Sequence, residues 1–157
     1  MNNSGVTNEL QVDYEVLHQL SVPTLLEMVE ITGFLSSQLG EYSDTPEFIQ
    51  SSLEYAFNKS AGSGGFAILA KHKGKLIGAS VVNTTAMRGY IPSNTLVYIA
   101  VHEDFRNKGI GTRILKKTQR LAKGGLALHV EPNNPARKLF EKTGFNYRYL
   151  EMRYENE

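Results

Sequence analysis

The sequence predicts an α/β fold built on one central mixed β-sheet, with about six to seven strands flanked by about four helices. Apolar residues recur at helical spacing in four segments, and β-branched or alternating runs lie between them. Two strand-like runs, 66–72 and 75–85, are separated only by Lys73 and Gly74, which is typical of an antiparallel hairpin. Strand, helix and strand then follow one another over 96–131, and such a crossover joins parallel strands.

Length and composition are those of a globular protein. The chain has 157 residues, of which 41% are hydrophobic and 21% charged, and we expect a single domain over 1–157. It has no cysteine, which excludes disulfides, thiolate metal sites and cysteine nucleophiles. Neither a basic, apolar leader nor an apolar run of membrane-spanning length is present. We therefore expect a cytoplasmic protein without a membrane partner.

The first half of the chain predicts one strand and two helices. Alternation over 10–17 indicates the strand. Ser21 or Thr24 then begins a helix that Gly40 can end. Asp44, Thr45 and Pro46 begin the second helix with a side-chain cap and a proline in the first turn. The predicted inward stripes are Leu25, Met28, Val29, Thr32, Leu35 and Leu39 in the first helix and Phe48, Ile49, Leu53, Ala56 and Phe57 in the second.

The second half predicts the rest of the sheet and two further helices. A glycine-rich loop over 61–65 precedes the hairpin, and a short apolar strand follows over 96–101. The third helix carries apolar residues at helical spacing after Gly109, and 126–131 forms the next strand. Asn134 and Pro135 predict the start of a short fourth helix that Gly144 ends, and 145–154 forms a last strand.

The stretch 106–112, between the strand 96–101 and the third helix, has the features of an anion site. A helix start leaves backbone N–H groups without intrahelical partners and carries the positive end of the helix dipole. Gly109 and Gly111 have no Cβ to obstruct an anion, and Arg106 and Lys108 add positive charge. The alternative is that these glycines only relieve backbone strain at the turn.

Charge is distributed unevenly along the chain, although the net charge is only +1. Residues 1–58 contain nine acids and no Lys or Arg. The cations that surround the third helix are Arg106, Lys108, Arg113, Lys116, Lys117, Arg120 and Lys123. Such a helix can be a nucleic-acid patch or a solvated outer face. Its apolar stripe favours the solvated face, and with no nucleic-acid motif in the sequence we expect no nucleic-acid partner.

Two motifs together resemble the GNAT superfamily of acyl-CoA-dependent N-acyltransferases. The first is Arg106-x-x-Gly109-x-Gly111 after the strand that ends Tyr98-Ile99-Ala100-Val101. The second runs from Leu128 to Phe145 and includes His129, Glu131, Asn133, Asn134 and Phe140. The order and spacing of the pair carry the resemblance, and the upstream elements agree with that fold.

The resemblance implies an acetyl-CoA-dependent N-acetyltransferase, with acetyl-CoA as cosubstrate. The pyrophosphate would lie on the backbone of 106–112, and the pantetheine in a slot beside 96–101, paired near Ile99 and Val101. The implied cofactor-binding residues are Ile99, Ala100, Val101, Arg106, Asn107, Lys108, Gly109, Ile110, Gly111, Thr112, Asn133, Asn134 and Phe140. Asn134 has helix capping as its alternative role, and one asparagine can serve both.

The implied reaction is direct attack of a neutral amine on the thioester in a ternary complex. The family often has a tyrosine that protonates the leaving thiolate, but Phe140 stands at that position and cannot donate a proton. It also often has a glutamate base on the central strand, where Val97 and Tyr98 stand. The candidate substitutes are Tyr98, Glu103, His129 and Glu131. For His129, a packed structural histidine is the alternative, and the histidine spacing predicts no metal site.

The resemblance also implies that the acceptor is a small-molecule or peptide amine. Because the two early helices usually border the acceptor site in this family, the acidic segment 1–58 suggests a cationic acceptor such as a polyamine, an aminoglycoside or a basic peptide end. Solvated acidic helix faces are the alternative. Tyr147, Tyr149 and Tyr154 nearly alternate in the last strand, which can indicate pairing across a homodimer or simply an edge face. Because the usual tyrosine acid and glutamate base of the family are both absent, the alternative function is a non-catalytic CoA-binding or sensing module.

Overall fold

The structure, a computed structural model that describes residues 9–157, is built on a five-stranded sheet in the order β1-β2-β3-β4-β5. The strands are β1 Asp13–Leu17, β2 Gly65–His72, β3 Lys75–Thr84, β4 Asn94–Val101 and β5 Leu126–Ala127. The helices are α1 Leu25–Leu39, α2 Pro46–Phe57, α3 Ile110–Leu121 and α4 Arg137–Lys142. The first three strand pairs are antiparallel, and β4 and β5 are parallel. The mixed sheet is confirmed, but the expected six to seven strands are wrong.

The hairpin between β2 and β3 has the predicted turn. Lys73 and Gly74 have φ values of 50° and 77°. Positive φ at both central residues matches the right-handed twist of the flanking strands, as in a type I′ turn. These two residues therefore set the antiparallel pairing at the turn end of β2 and β3, and an irregularity between Ala70 and Lys71 shifts the register of the rest.

The starts of α1 and α2 follow from their capping residues. The Thr24 side chain accepts a hydrogen bond from the Glu27 N–H, and the Glu27 carboxylate accepts one from the Thr24 N–H, which forms a complete capping box. Thr45 caps α2 by accepting from the Phe48 N–H, and Pro46 is the first helical residue. The predicted capping role of Asp44 is therefore taken by Thr45, which leaves the Asp44 carboxylate available.

One hydrophobic cluster lies between the sheet and the helices α1 and α2. Its fully buried side chains include Ile31 and Leu35 of α1 and Ile49 and Leu53 of α2. The predicted stripe of α1 is wrong in part, because Leu25 is 87% exposed and Val29, like it, lies on the outer face. Apolar residues occur on two sides of this helix, so their spacing alone could not decide which side the sheet covers.

The other face of the sheet is covered by α3 and α4. Ile110, Ile114 and Leu115 of α3 are buried against the sheet, as predicted from their spacing. Thr118 is also buried, and its hydroxyl donates to the Ile114 carbonyl at 2.9 Å. Its oxygen lies 3.0 Å from the Ser80 hydroxyl of β3, which must then be the donor in that pair. A buried polar contact thus joins α3 to the middle of the sheet.

The last two predicted strands account for the difference in strand number. The predicted strand 126–131 is paired with β4 only over Leu126–Ala127. The predicted strand 145–154 is absent from the sheet, and its alternating tyrosines, Tyr147, Tyr149 and Tyr154, are exposed. Alternation marks a segment that can form a strand, but whether it joins a sheet depends on contacts with residues far away in the chain. Among residues 9–157, no helix has the length and apolar character needed to cross a bilayer.

Candidate active site

An open slot lies between β4 and the chain that continues from β5. The two strands pair only through Asn94 with Leu126 and Thr95 with Ala127. The closed end is secured by Asn94, whose side-chain amide donates to the carbonyls of Lys123 at 2.8 Å and Gly125 at 3.2 Å. From Leu96 onward, the outer edge of β4 has no strand beside it in the part of the chain that the structure describes.

A β-bulge lies where β4 and the chain after β5 cease to pair, a point that we call the vertex of the slot. Val81 pairs with Tyr98 and Val82 with Leu96, so Val97 is an extra residue in β4. The bulge changes which side chains face which layer: Leu96 packs with the α3 side of the sheet, and Tyr98 with the α1 and α2 side. The sequence prediction missed this feature, because a bulge depends on the pairing partner and not on the strand's own pattern.

The free edge of β4 presents backbone groups to the slot. The His102 N–H donates to the Ile77 carbonyl of β3 at 2.8 Å. Because successive residues of a strand point their backbone groups to opposite sides, those of Ile99 and Val101 point away from β3 and toward the slot. Ala100, which the sequence grouped with them, pairs with Ala79 of β3 and packs into the α1 and α2 cluster.

The loop after β4 delivers the chain to α3 through two residues with positive φ. Asn107 has φ 61°, and Gly109, the N-cap residue, has φ 79°. No side chain caps this helix, and the first intrahelical bond at this end runs from the Arg113 N–H to the Gly109 carbonyl. The N–H groups of Ile110, Gly111 and Thr112 therefore have no intrahelical acceptor. The backbone donors that the predicted anion site requires are therefore unoccupied by the helix itself.

Arg106 is held by the protein itself. Its Nε donates to the Val101 carbonyl at 3.0 Å, and its Nη2 donates to the Gln38 carbonyl at the end of α1 at 2.9 Å. The Gln38 side chain in turn accepts from the Glu103 N–H at 2.9 Å. Arg106 thus connects α1, β4 and the loop, and only its Nη1 has no such bond within residues 9–157. The sequence prediction gave this residue only a charge for the cofactor.

Lys108 and Arg113 supply the exposed charge at the start of α3. Together with Glu9, Leu10, Val12 and Ile110 they line a cavity of about 260 Å³ beside the helix N-terminus. Arg113 also forms a 3.4 Å ion pair with Glu9, and both side chains are largely exposed. Lys108 has no ion pair in the described part of the chain, so its charge is directed to solvent at this position.

Gly111 packs closely against neighbouring side chains. A Cβ on this residue would lie 3.2 Å from Leu139 Cδ2 of α4 and 3.6 Å from Val101 Cγ2 of β4. At Gly109, in contrast, a Cβ would meet nothing within 4 Å, but its φ of 79° is one that other residues rarely adopt. Gly109 therefore serves the turn, and Gly111 allows α3, α4 and β4 to approach one another.

Phe140 is a core residue beneath the slot. It is 7% exposed and packs with Val82, Leu96 and Leu115, and its ring meets that of Phe145 edge-on at 5.9 Å. This environment explains a phenylalanine at this position, since a hydroxyl there would need a partner. The side chain can shape the floor of the slot.

The loop between β5 and α4 closes the far side of the slot. The Asn133 carbonyl accepts a hydrogen bond from the Tyr42 hydroxyl at 3.3 Å, which connects the α1–α2 loop to the far wall. Asn134 Oδ1 accepts from the Ala136 N–H at 2.9 Å, so its side chain stabilises the turn before α4. The helix begins at Arg137, two residues later than the sequence prediction.

Three of the four catalytic candidates lie on exposed connections. Glu103 is in the one-turn 3₁₀ helix after β4. His129 is 66% exposed and lies 3.4 Å from Glu151 of the C-terminal segment. Glu131 is exposed and close enough to Tyr42 that its charge contributes, after desolvation and Glu41, to raising the pKa of that tyrosine. These residues have separate partners and do not form a proton-transfer chain with one another.

The fourth candidate, Tyr98, is buried beside the vertex. Its hydroxyl donates to Asp44 Oδ2 at 2.6 Å. Burial, and then the bond to Asp44, raises the pKa of Tyr98 to about 12. Such a phenol remains neutral and is a weak proton donor at neutral pH. The sequence prediction missed Asp44 as its partner, because a contact between residues 54 positions apart leaves no local pattern.

Comparison with known proteins agrees with this geometry. The profile of the Acetyltransferase (GNAT) family matches residues 29–145, which is most of the chain. No curated protein matches the sequence. The fold is similar to that of the aminoglycoside N-acetyltransferase AAC(6′)-Iy in complex with CoA, at 15% identity over 93% of this chain and 95% of that one, with a TM-score of 0.68.

Two further solved structures have the same fold. One is the ribosomal-protein-alanine N-acetyltransferase from Brucella melitensis biovar Abortus 2308, at 21% identity over 93% of this chain and 100% of that one, with a TM-score of 0.61. The other is an aminoglycoside acetyltransferase from an uncultured soil metagenomic sample in complex with sisomicin, at 12% identity over 93% and 97%, with a TM-score of 0.61.

A split mixed sheet with an uncapped helix N-terminus at the mouth of the slot thus defines an acetyltransferase fold. The family match extends from the middle of α1 to the end of α4 and covers both motifs. The chain belongs to the GNAT acetyltransferase family.

Proposed function

We propose that this protein transfers an acetyl group from acetyl-CoA to a primary amine by direct attack in a ternary complex, and that the acceptor is cationic. The observation that carries the proposal is the juxtaposition of the uncapped start of α3 with the slot that opens between β4 and β5. The helix start suits a pyrophosphate, and the slot suits an extended arm that carries amides. The loop 106–109 connects the two.

The cofactor would bind along this path from its phosphates inward. The free N–H groups of Ile110, Gly111 and Thr112 and the charge of Lys108 can receive the pyrophosphate. The backbone groups of Ile99 and the N–H of Val101, whose carbonyl already accepts from Arg106, can then pair with the pantetheine amides, as a neighbouring strand would. This path brings the thioester to the vertex at Val97. On the opposite wall, Asn133 and Asn134 are available to the pantetheine arm.

The chemistry at the vertex is carried mainly by positioning. The amine nitrogen forms a bond to the thioester carbonyl carbon, the carbon–sulfur bond breaks, and the thiolate leaves and takes up a proton as the amine loses one. Orientation of the two reactants supplies much of the acceleration, and backbone N–H groups at the bulge can stabilise the developing oxyanion. With Phe140 in the core and the pKa of Tyr98 raised to about 12, water is the proton carrier in this proposal.

The acceptor side of the slot is acidic. Asp44 on the α1–α2 loop bonds to Tyr98, which packs on the face of the sheet away from the basic helix α3. Glu41 on the same loop and Glu131 beyond β5 both contribute to raising the pKa of Tyr42. This arrangement supports an acceptor that carries positive charge. Structures of similar fold include aminoglycoside acetyltransferases, one of them in complex with sisomicin, which agrees with a polycationic amine.

The lack of a side chain that can protonate the leaving thiolate favours a second function. Burial of Phe140 and the bond between Tyr98 and Asp44 leave no proton donor aimed at the thioester among the residues described, which suits a CoA-binding or sensing module. We place acetyl transfer first, because loss of one acid or base costs such reactions only about 10² to 10⁴ in rate, which leaves measurable turnover.

A charge reversal tests the cofactor site. We expect Lys108→Glu to weaken acetyl-CoA binding by at least about tenfold at low salt, because it places an anion beside the pyrophosphate. Lys59→Glu is the matched control, since it makes the same change in net charge at an exposed residue just after α2. Calorimetry with both variants measures the difference. Equal affinities would contradict the proposed phosphate site.

Release of free thiol from acetyl-CoA tests the reaction. The purified protein is mixed with acetyl-CoA and a panel of diamines, polyamines, aminoglycosides, amino acids and basic peptides. Turnover with cationic amines supports the proposal, and turnover only with neutral or anionic acceptors contradicts its acceptor class. Tight binding of CoA without thiol release on any amine would favour the binding module.

A further inference from the structure

The α1–α2 loop directs one carboxylate at the vertex of the slot. Asp44 lies immediately before the N-cap of α2, and its Oδ2 accepts the 2.6 Å hydrogen bond from Tyr98. Tyr98 is 7% exposed and follows the Val97 bulge directly. The position of the Asp44 carboxylate is therefore set by a buried residue of the central strand, although Asp44 itself is an exposed loop residue.

The remaining oxygen of this carboxylate has no role in maintaining the fold. Thr45 already caps α2, so Asp44 is not needed to begin the helix. Asp44 Oδ1 has no hydrogen-bond partner, and the carboxylate has no ion pair, within residues 9–157. An ionised carboxylate with one oxygen held and the other free can accept a hydrogen bond from an incoming ammonium group.

This oxygen lies on the side from which an acceptor would approach. The proposed cofactor path enters from the start of α3, on one face of the sheet. The Tyr98 side chain and Asp44 lie on the opposite face, with α1 and α2. An amine that reaches the thioester at Val97 from that face passes beside Asp44. The reacting nitrogen must be neutral, so a carboxylate there is better suited to a different, charged nitrogen of the same molecule.

We infer that Asp44 is a specificity-determining residue that binds a second ammonium group of the acceptor, and that Tyr98 is its positioning residue. The acceptor class is then an amine with at least one further cationic nitrogen a few bonds from the reacting one. This inference rests on the proposed acetyl transfer, and it adds the residue that selects the acceptor.

A matched pair of amines tests the inference. Thiol release is measured with 1,5-diaminopentane and with 1-aminopentane, which lacks the second ammonium group. We expect kcat/KM to favour the diamine by about tenfold or more in the unaltered protein. Asp44→Asn should remove most of this preference by raising KM for the diamine, with KM for acetyl-CoA unchanged. The asparagine keeps an oxygen that can accept from Tyr98, so the fold should be retained.

Two further variants separate the effect of orienting Asp44 from the effect of negative charge in this region. Glu47→Gln removes another exposed acid of the same region, three residues away, and should leave the diamine preference intact. Tyr98→Phe removes the donor that orients Asp44 and should lower the preference in part, again through KM for the diamine. A kcat effect shared equally by both amines would indicate a merely structural role for Tyr98 and would contradict its positioning role.

The outcomes distinguish this inference from the proposed function. If Asp44→Asn leaves the ratio between the two amines unchanged, or if only amines with a single nitrogen are acetylated, the inference is wrong and acetyl transfer stands. If acetyl-CoA binds but neither amine nor any other acceptor releases thiol, or if acetyl-CoA does not bind, the proposed function fails and the inference fails with it.

Discussion

Replacing Arg106 by lysine should lower the free energy of unfolding, although it keeps the positive charge beside the candidate cofactor site. The arginine donates from Nε to Val101 and from Nη2 to Gln38, at 3.0 and 2.9 Å. Lysine keeps the charge, but its single ammonium group cannot reproduce the forked contact with two carbonyls. The structure therefore predicts that the end of α1 is released from the end of β4.

The magnitude follows from those two bonds. A hydrogen bond from a charged donor contributes about 1.5 to 3 kcal/mol, but Arg106 is exposed and lysine can retain one contact. We expect a net loss of roughly 1 to 2 kcal/mol in the free energy of unfolding, or about 3 to 6 °C in the unfolding midpoint for a chain of this length. Urea unfolding and thermal scans measure it, with Arg120→Lys on the exposed side of α3 as the matched control.

The rise in unfolding midpoint caused by saturating acetyl-CoA provides a second measurement of the role of Arg106. If Arg106 acts mainly on the fold, saturating acetyl-CoA should raise the unfolding midpoint of Arg106→Lys by nearly the same increment as in the unaltered protein. An unchanged midpoint without ligand, together with a tenfold weaker affinity for acetyl-CoA, would refute the reasoning. That result would assign Arg106 to the pyrophosphate directly.

Two further predictions concern buried polar groups. Because the pKa of Tyr98 is raised to about 12 from an ordinary value near 10, the stabilisation from its neutral form should be complete below pH 10 and lost as pH rises through 12. Ultraviolet titration should show a late-ionising tyrosine whose signal Tyr98→Phe removes, and a titration curve that this substitution leaves unchanged at high pH would contradict the buried hydrogen bond. Thr118→Val should cost about 1 to 3 kcal/mol by leaving the Ser80 hydroxyl without its acceptor. Ser80→Ala should offset part of that cost in a double-mutant cycle, whereas strictly additive losses would indicate that the two hydroxyls do not interact.

The cofactor half of the candidate site could be read from local sequence. The strand 96–101, the glycine turn and the apolar spacing of α3 lie within a continuous stretch, and each has a short-range signal. The structure confirms that α3 begins at Ile110, directly after Gly109. The start of α3 depends on a few consecutive residues around the glycine turn, so its position could be predicted from the sequence.

The acceptor half could not be read in that way. Asp44 and Tyr98 are 54 positions apart, and Tyr42 and Asn133 are 91 apart. These contacts exist because α1 and α2 pack over the face of the sheet where Tyr98 emerges after the bulge. The sequence does not mark Val97 as the extra residue, since only the register with β3 shows it.

The sequence by itself determined the presence of the four helices and the hairpin, because caps, glycine conformations and apolar spacing act over one or two turns. It also determined the family, through two motifs whose order and spacing the family profile matches. Tertiary structure decided which face of α1 is buried, where β4 and β5 separate, and that 145–154 stays out of the sheet. It also placed the Arg106 side chain against the carbonyl of Gln38 and the Asp44 carboxylate against the Tyr98 hydroxyl, since each of these outcomes depends on a partner far away in the chain.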